Sequence, residues 1–336
     1  MSDTHILLAH GSGGTRMHAL IRDLFLPAFD NPYLRQGNDQ ALFETPSGRI
    51  AFTTDSYVVQ PVIFPGGSIG ELAVHGTIND LAVGGARPLG LSVGMILEEG
   101  LEMSLLEDIV RRMKAASEEA GVPIVTGDTK VVERGSCDKI FINTSGVGIV
   151  PEGVNIDGAA ARQGDAVIIS GSIGDHGVAV MSERRGVQFS TPVVSDTQPL
   201  HKLVRRMLGV TKDIHVMRDP TRGGVATTLN EIAGQSRVGI EIDEEALPVS
   251  DEVNGACDLL GLDPLYLANE GKLIAILPDE HAESVLDAMR ATPEGAGACR
   301  IGRVVEDRPG IVRMNTGIGG SRIVNVLSGE MLPRIC

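Results

Sequence analysis

The chain has 336 residues, of which 42% are hydrophobic, and this is enough apolar material for a core in each of two domains. Its formal net charge is −15 with no run of Lys or Arg, which argues against nucleic acid as a partner because such binding depends on clustered basic residues. No apolar stretch approaches the roughly 20 residues that cross a bilayer, and no cationic signal segment opens the sequence, so we expect no membrane association and a cytoplasmic protein.

The first 150 residues predict an α/β unit that opens with a glycine-rich loop between a short strand and a helix. Two β-like runs at 41–45 and 49–55, joined by Pro46-Ser47-Gly48, predict a hairpin. Capping-box pairs, Ser68 with Glu71 and Ser104 with Glu107, predict the starts of two helices. Further strands are predicted at 90–97, 122–125 and 139–150.

A second α/β series follows Pro151-Glu152-Gly153. Mixed strands and helices with a hairpin favour two α/β or α+β domains over a single barrel. We therefore predict an N-terminal domain over 1–153, a C-terminal domain over 154–325 and a tail over 326–336. The second domain is predicted to contain strands at 165–170, 214–217, 239–242 and 272–277, and helices at 176–184, 199–208, 225–233, 251–260 and 279–291.

Two glycine-containing segments are candidates for binding phosphate. His10-Gly11-Ser12-Gly13-Gly14 lacks the Walker lysine and the dinucleotide spacing, so by itself it fits a tight turn as well as a loop whose backbone N–H groups approach phosphate. In the segment 218–224, two arginine forks and two glycines precede a helix. Lys130 could hold a polyphosphate or be a solvated surface lysine. The candidate nucleotide-binding residues are His10, Gly11, Gly13, Gly14, Lys130, Arg218, Asp219, Arg222, Gly223 and Gly224.

Four aspartates at strand ends or in small-residue segments are candidate metal ligands. An ionised carboxylate among apolar helix residues is costly unless it is paired or bound to a cation. Each of these acids alone is typical of a helix cap or a surface turn, but the four together favour Mg²⁺, which bridges one or two carboxylates to nucleotide phosphates. The four are Asp39, Asp55, Asp80 and Asp128.

Glu270 and the last cysteine are the remaining candidates. Glu270 precedes an apolar strand in Asn269-Glu270-Gly271-Lys272, where it either faces a cleft or belongs to a plain turn. The four cysteines lack the close pairs typical of zinc sites or redox dithiols. Cys336 ends a tail of about 11 residues, which at roughly 3.3 Å per residue spans over about 30 Å, so its thiol could visit two sites. Its own α-carboxylate disfavours the thiolate, so activation would need an electropositive partner such as Arg334 or a host pocket.

Seven segments together resemble the HypE family of hydrogenase maturation factors, within the PurM-like ATP-binding superfamily of aminoimidazole ribonucleotide synthetase. The resemblance spans essentially the whole chain, and its most specific feature is the ending Pro333-Arg334-Ile335-Cys336. It implies an N-terminal domain whose strands form a β-barrel across a homodimer, a C-terminal α/β domain behind it, and ATP with Mg²⁺ in the cleft between them. The other segments are 10–14, 54–57, 75–80, 126–132, 219–224 and 269–273.

The resemblance also implies an activity, that of an ATP-dependent carbamoyl dehydratase. The terminal cysteine of the family receives a carbamoyl group through the carbamoyltransferase HypF, and the resulting thiocarboxamide is dehydrated to a thiocyanate. The cyano group then passes to iron on the HypC–HypD complex for the nickel–iron hydrogenase centre. Carried onto this sequence, Cys336 is the acceptor, Lys130 neutralises charge and Glu270 is the candidate base, with Asp80 or Asp128 as the alternative base. The implied metal and phosphate set is Asp39, Asp55, Asp80 and Asp128, of which Asp39 departs from the paired acids usual in the superfamily.

Two other functions stay open at this point. A small-molecule kinase or ligase with the same ATP apparatus would differ only in the tail. A scaffold that hands a tail-bound group between partners would catalyse nothing. A selenophosphate synthetase is disfavoured because positions 10–14 contain no cysteine or selenocysteine.

Overall fold

In a computed structural model, the structure describes residues 4–11, 19–36, 48–186, 193–326 and 334–336. The helices are α1 Leu26–Phe29, which continues the π-helical turn Ile21–Phe25, α2 Ile69–Val83, α3 Met103–Ala120, α4 Asp175–Arg185, α5 His201–Val210, α6 Gly224–Ser236, α7 Asp251–Leu260 and α8 Asp279–Arg290. The strands are β1 Arg49–Tyr57, β2 Ile63–Phe64, β3 Gly67–Ser68, β4 Arg87–Glu98, β5 Ile124–Val132, β6 Ile140–Val150, β7 Ala166–Ile169, β8 Val216–Arg218, β9 Gly239–Asp243, β10 Ile274–Leu277, β11 Cys299–Val305, β12 Val312–Asn315 and β13 Ser321–Val324.

The N-terminal part is built on a four-stranded sheet in the order β1-β6-β4-β5. β6 is antiparallel to both β1 and β4, whereas β4 and β5 are parallel. Helix α2 packs on this sheet with α3 beside it. The opposite face of β1 is open, since the side chains of Ile50 and Phe52 are 66% and 70% exposed.

The C-terminal part is a seven-stranded sheet between two layers of helices, in the order β13-β12-β9-β11-β7-β10-β8. Its pairs are antiparallel except for β9 with β12, which are parallel. Successive residues of β7 point to opposite faces, as expected for a strand buried on both sides. Val167 and Ile169 pack in the cluster that contains α6, and Ile168 packs in the cluster that contains α5 and α8.

Helix α2 joins the two halves of the molecule. The hydroxyl of Ser68 accepts a hydrogen bond from the N–H of Gly70 (3.1 Å) and caps the helix, as the first capping box predicts. Helix α2 is buried along almost its whole length, because it contacts the N-terminal sheet, α3, α5 and β8. It therefore carries side chains from the first domain to the edge of the second.

Most predicted elements occur within a few residues of their predicted bounds, but two expectations are wrong and three strands were not predicted. The second capping box is displaced, because α3 begins at Met103 after Glu102 and receives no side-chain cap. The sequence 126–130 lies inside β5, which extends beyond the predicted strand as it pairs with β4. β11–β13 were not predicted, since they are short and charged residues interrupt their apolar pattern.

The hairpin prediction falls partly outside the described residues, which do not include 41–45. Strand β1 confirms the second run, and its partner is β6, with Asp55 opposite Thr144. Among the described helices, none is both long enough and apolar enough to cross a membrane.

Candidate active site

A cavity of about 580 Å³ opens where β1 and α2 of the N-terminal part meet the loop after β8. We call this cavity the cleft. Acidic, arginine and thiol groups from five separate stretches of sequence face it. The residues lining it are Ala51, Phe52, Thr53, Thr54, Asp55, Gly76, Asp80, Leu81, Val83, Gly84, Arg218, Asp219, Thr221, Arg222, Glu270 and Cys336.

Four carboxyl groups converge on the cleft, and the pKa values of three of them, Asp80, Asp219 and Glu270, are raised. Burial raises the pKa of Asp80 to about 7, and the charge of Asp219 adds to this, although Thr53 donates a hydrogen bond of 2.8 Å to its carboxylate. Burial likewise raises the pKa of Asp219. Burial raises the pKa of Glu270 well above its ordinary value, and neighbouring aspartates, Asp55 among them, reinforce this shift. The cluster therefore favours the uptake of protons or of a cation.

Asn79 fixes the position of Asp80 relative to the second domain. Its side-chain amide donates to the carbonyl oxygens of Gln198 and Glu270, each at 3.0 Å, and its oxygen accepts from the N–H of Leu200 at 2.8 Å. An isolated amide in this buried helix would be costly, and these three bonds satisfy it. The same bonds hold the backbone of Glu270 beside the turn of α2 that carries Asp80.

The Glu270 loop is tightly packed on the segment before α5. The N–H of Glu270 donates to the carboxylate of Asp196 (3.0 Å), and the ammonium of Lys272 lies 3.3 Å from the same carboxylate. A Cβ atom at Gly271 would lie 1.8 Å from the carbonyl oxygen of Asp196, so only glycine fits. The Glu270 side chain is 3% exposed, and its Oε1 has no hydrogen-bond partner among the residues that the structure describes. The backbone of Glu270 is therefore held firmly in place, while one oxygen of its carboxyl group is available to bind a proton or a ligand.

The loop 218–224 places two arginines and an acid at the rim. Gly224 has φ +61°, and a Cβ there would lie 2.5 Å from the carbonyl oxygens of Leu265 and Leu267, so this position requires glycine. Arg218 is paired with Glu231 on α6 at 2.8 Å. Arg222 is exposed at the cleft, where its guanidinium is available to an anion.

The last three residues, 334–336, are docked across the molecule with Cys336 facing the cleft. The N–H of Val58 donates to the α-carboxylate of Cys336 (3.1 Å), and the N–H of Gln60 donates to the carbonyl oxygen of Arg334 (3.3 Å). The side chain of Ile335 is 3% exposed and belongs to the N-terminal core. Burial raises the pKa of the Cys336 thiol to about 12, with Glu270 acting in the same direction and the guanidinium of Arg222 opposing. The docked thiol is thus protonated at neutral pH.

Arg334 does not activate this thiol. Its guanidinium points the other way, donating to the carbonyl of Val58 (2.9 Å) and to Asp138 (2.8 Å), and it lies over the ring of Phe141. The arginine that lowers the pKa of Cys336 is Arg222. The expectation that Arg334 is the electropositive partner is therefore wrong for the docked tail.

The structure does not bring every predicted residue to the cleft. Asp128 and Lys130 form an exposed ion pair of 2.7 Å on β5, at the opposite edge of the sheet from β1. His10 is buried in the turn Leu8–Gly11, where its Nδ1 accepts from the N–H of Leu7 (3.0 Å). Gly13, Gly14 and Asp39 lie outside the described residues.

Several residues that build the site escaped the sequence reasoning. Thr53 and Asp196 belong to no recognisable motif, and only folding brings them against Asp80 and Glu270. Asn79 had a signal, since it is a polar residue in the middle of an apolar helix.

The chain is similar to known proteins over its full length. The AIR synthase related protein family matches through its N-terminal domain at 37–150 and its C-terminal domain at 162–315. The carbamoyl dehydratase HypE of Rhizobium leguminosarum bv. viciae is 58% identical over 337 residues, which covers 100% of this chain and 96% of that protein. The crystal structure of a hydrogenase maturation protein HypE in complex with ATP superposes with a TM-score of 0.95 at 55% identity and covers 98% of this chain and 99% of that one. A chain of a crystallised HypE–HypF complex gives a TM-score of 0.81 at 50% identity, with coverage of 92% and 100%.

Proposed function

Because this chain belongs to the carbamoyl dehydratase HypE family, a family of enzymes with two AIR synthase related domains, we propose that it dehydrates a carboxamide carried by its own Cys336. The product is a thiocyanate whose cyano group supplies the iron of [NiFe] hydrogenase. In this proposal residues 1–153 bind the nucleotide, 154–325 form the second domain, and 326–336 are the tail that presents the substrate.

One observation carries the proposal: the Cys336 thiol lies in the same cleft as Asp55, Asp80, Glu270 and Arg222. A carboxamide on that sulfur would reach into a space lined by groups suited to phosphate and metal binding. A related HypE has been crystallised with ATP, which supports ATP as the nucleotide here. A kinase or ligase acting on a free small molecule would have no need of a docked thiol.

The chemistry requires a leaving group and a base. An amide oxygen leaves poorly, so the γ-phosphoryl group of ATP is first transferred to it and ADP is released. The C–O bond then breaks with loss of phosphate, and removal of both N–H protons gives the C≡N bond. Glu270 is the proposed base, because it lines the cleft beside Cys336 and its Oε1 has no hydrogen-bond partner among the described residues.

The carboxylates of the cleft fit Mg²⁺. The raised pKa of Asp80 is the response expected of a buried carboxylate without a positive partner. Among the residues described, no three His, Cys, Asp or Glu side chains form a closed metal site, which agrees with an ion held by one or two carboxylates together with phosphate oxygens. Asp55 and Asp80 would hold the ion, which supplies charge neutralisation to the polyphosphate.

We further propose that two copies pack through the open face of the N-terminal sheet. Ile50 and Phe52 on β1 and Ile96 on β4 are exposed apolar residues on that sheet. Packing this sheet against a second copy would bury them, as exposed apolar patches commonly require. We propose that Lys130 and Asp128 of one copy then approach the nucleotide site of the other, together with the loop that contains Gly11, Gly13 and Gly14 and with Asp39.

The proposed partners follow from the reaction. A related HypE has been crystallised with HypF, which supports a HypF-type carbamoyltransferase as the donor. We propose the HypC–HypD complex as the acceptor of the cyano group. The reaction uses ATP and a reduced thiol, conditions of the cytoplasm, where we place the protein.

Mass spectrometry tests the proposal directly. After incubation with a HypF-type carbamoyltransferase and carbamoyl phosphate, cleavage after Glu330 releases the peptide 331–336, which contains Cys336 alone among the four cysteines. We expect a carbamoyl adduct on this peptide that loses the mass of one water when MgATP is added. An adduct on Cys137, Cys257 or Cys299 instead, or a carboxamide that persists with MgATP, would contradict the proposal. Persistence without ADP release would favour a carrier scaffold.

A further inference from the structure

His176 lies on helix α4, and its imidazole is buried against the docked residues 334–336. Its Nε2 lies 2.8 Å from the carbonyl oxygen of Ile335, and its Nδ1 lies 2.8 Å from the hydroxyl of Ser195. The ring of Phe64 meets it edge to face, with ring centroids 5.4 Å apart and an interplanar angle of 89°. With 0% exposure and contacts on these sides, the imidazole has one orientation.

These contacts also determine which ring nitrogen carries the proton. A carbonyl oxygen only accepts hydrogen bonds, so Nε2 must be the donor to Ile335. Burial lowers the pKa of His176, with Asp196 opposing, and the ring is neutral at neutral pH. Nδ1 is then an acceptor, and the Ser195 hydroxyl donates to it while accepting from the N–H of Thr197 (3.2 Å). Ser195 thereby satisfies Nδ1 and holds the ring in the orientation that binds the tail.

The peptide group held by His176 is the one that leads to the thiol. It joins Ile335 to Cys336, and its plane decides where the Cα of Cys336 points. On the other side, the N–H of Val58 donates to the α-carboxylate of Cys336, and Arg184 on α4 donates to the carbonyl of Arg334 at 2.8 Å. The first domain thus binds the tail through Val58, and the second through α4.

We infer that His176, oriented by Ser195, is a positioning residue that holds the tail in the register in which the sulfur of Cys336 faces the cleft. His176 does not line the cleft, so it acts through the peptide group of Ile335 and not on the reacting atoms. The inference deepens the proposed function and rests on the role proposed there for Cys336.

Thiol alkylation of the full-length protein tests the docking without any turnover. Iodoacetamide labelling is followed on the peptide 331–336 for the wild type, His176→Leu and His176→Gln. Loss of one buried hydrogen bond should raise the labelling rate of Cys336 about tenfold in His176→Leu. His176→Gln should restore nearly the wild-type rate, because its amide nitrogen can donate from about the position of Nε2. Ser182→Ala is the matched control, since Ser182 is buried on the same helix and its hydroxyl donates to the carbonyl of Ala179 within that helix, so its rate should equal that of the wild type.

Single-turnover dehydration of the carbamoylated tail provides the second readout. At saturating ATP we expect His176→Leu to slow nitrile formation about tenfold while the KM for ATP stays unchanged, and His176→Gln to recover the rate. If His176 had only a structural role, His176→Leu would lower thermal stability but would not slow nitrile formation while leaving the KM for ATP unchanged. Labelling at the wild-type rate in folded His176→Leu, or no recovery in His176→Gln, overturns the inference.

Ser195→Ala covers the case in which His176→Leu does not fold. Without the Ser195 hydroxyl, Nδ1 loses its donor and the ring is held less firmly in its orientation, so labelling of Cys336 should be a few times faster than in the wild type. An unchanged labelling rate in folded Ser195→Ala overturns the inference. Failure of the proposed function looks different, because the wild type would then form no nitrile while the labelling differences persist.

Discussion

Replacing Asp80 by Asn removes a buried carboxylate from the cleft and keeps an oxygen that accepts from Thr53. Burial, followed by the charge of Asp219, raises the pKa of Asp80 to about 7 from 3.8. A carboxyl group whose pKa is raised by folding stabilises the folded state fully only below its unfolded pKa. This contribution to the free energy of unfolding is lost as the pH rises through about 7. A shift of roughly three pKa units at 1.36 kcal/mol each corresponds to a loss of about 4 kcal/mol in the free energy of unfolding, as an upper value. Because Asp80 shares a proton with Asp219, we expect a loss of about 2 kcal/mol. The Asn variant should therefore be more stable than the wild type at pH 8 and by a smaller margin at pH 5, because the contribution is lost between the unfolded pKa of 3.8 and about pH 7.

Urea unfolding of the nucleotide-free protein at both pH values measures this difference. Asp128→Asn is the control, because Asp128 is exposed and its pKa is lowered by its hydrogen bond to Lys130, so its loss should bring no gain at pH 8. The same Asp80→Asn variant should lose Mg²⁺-dependent ATP binding in calorimetry. If Asp80→Asn is no more stable than the wild type at pH 8, or binds MgATP with unchanged affinity, the reasoning about the cleft is refuted.

Three further substitutions test separate parts of the site. Cys336→Ala should keep the circular dichroism spectrum and ATP binding but form no thiocyanate in the mass assay, and any thiocyanate from this variant would contradict the tail chemistry. Glu270→Gln should slow single-turnover dehydration about 10²-fold or more with ATP affinity little changed, and a wild-type rate would exclude Glu270 as the base. Phe52→Lys should shift sedimentation from dimer to monomer while Ile318→Lys, at a 98% exposed loop position, should not, and a dimeric Phe52→Lys variant would exclude this face as the interface.

The local elements of the fold were predictable because their signals are local. The hydroxyl of Ser68 caps α2, and the apolar strands β7 and β10 stand out as short buried runs. β11 was not visible, since Arg300 and Arg303 interrupt its apolar pattern and its place is decided by pairing with β7 and β9. These strands form because they pair with distant strands of the sheet, and the local sequence pattern does not indicate that pairing.

The site was predictable in its residue types and only partly in its geometry. Asp55, Asp80, Glu270 and Cys336 were each named from the sequence, and the fold brings them to one cleft. Asp128 looked equivalent to the other aspartates, but it lies on β5 at the far edge of the sheet, which strand order alone decides. Contacts such as those of Asn79 and His176 join residues more than 100 positions apart, so no spacing rule could have indicated them.

The central claim is that the oxygen of a Cys336-bound carboxamide leaves as part of phosphate. Carbamoylation of Cys336 with a carbamoyl group labelled with ¹⁸O at its amide oxygen, followed by MgATP, allows that oxygen to be traced by mass spectrometry of the inorganic phosphate. We expect one ¹⁸O atom in the phosphate for each thiocyanate formed. Label released into water, with unlabelled phosphate, would contradict it.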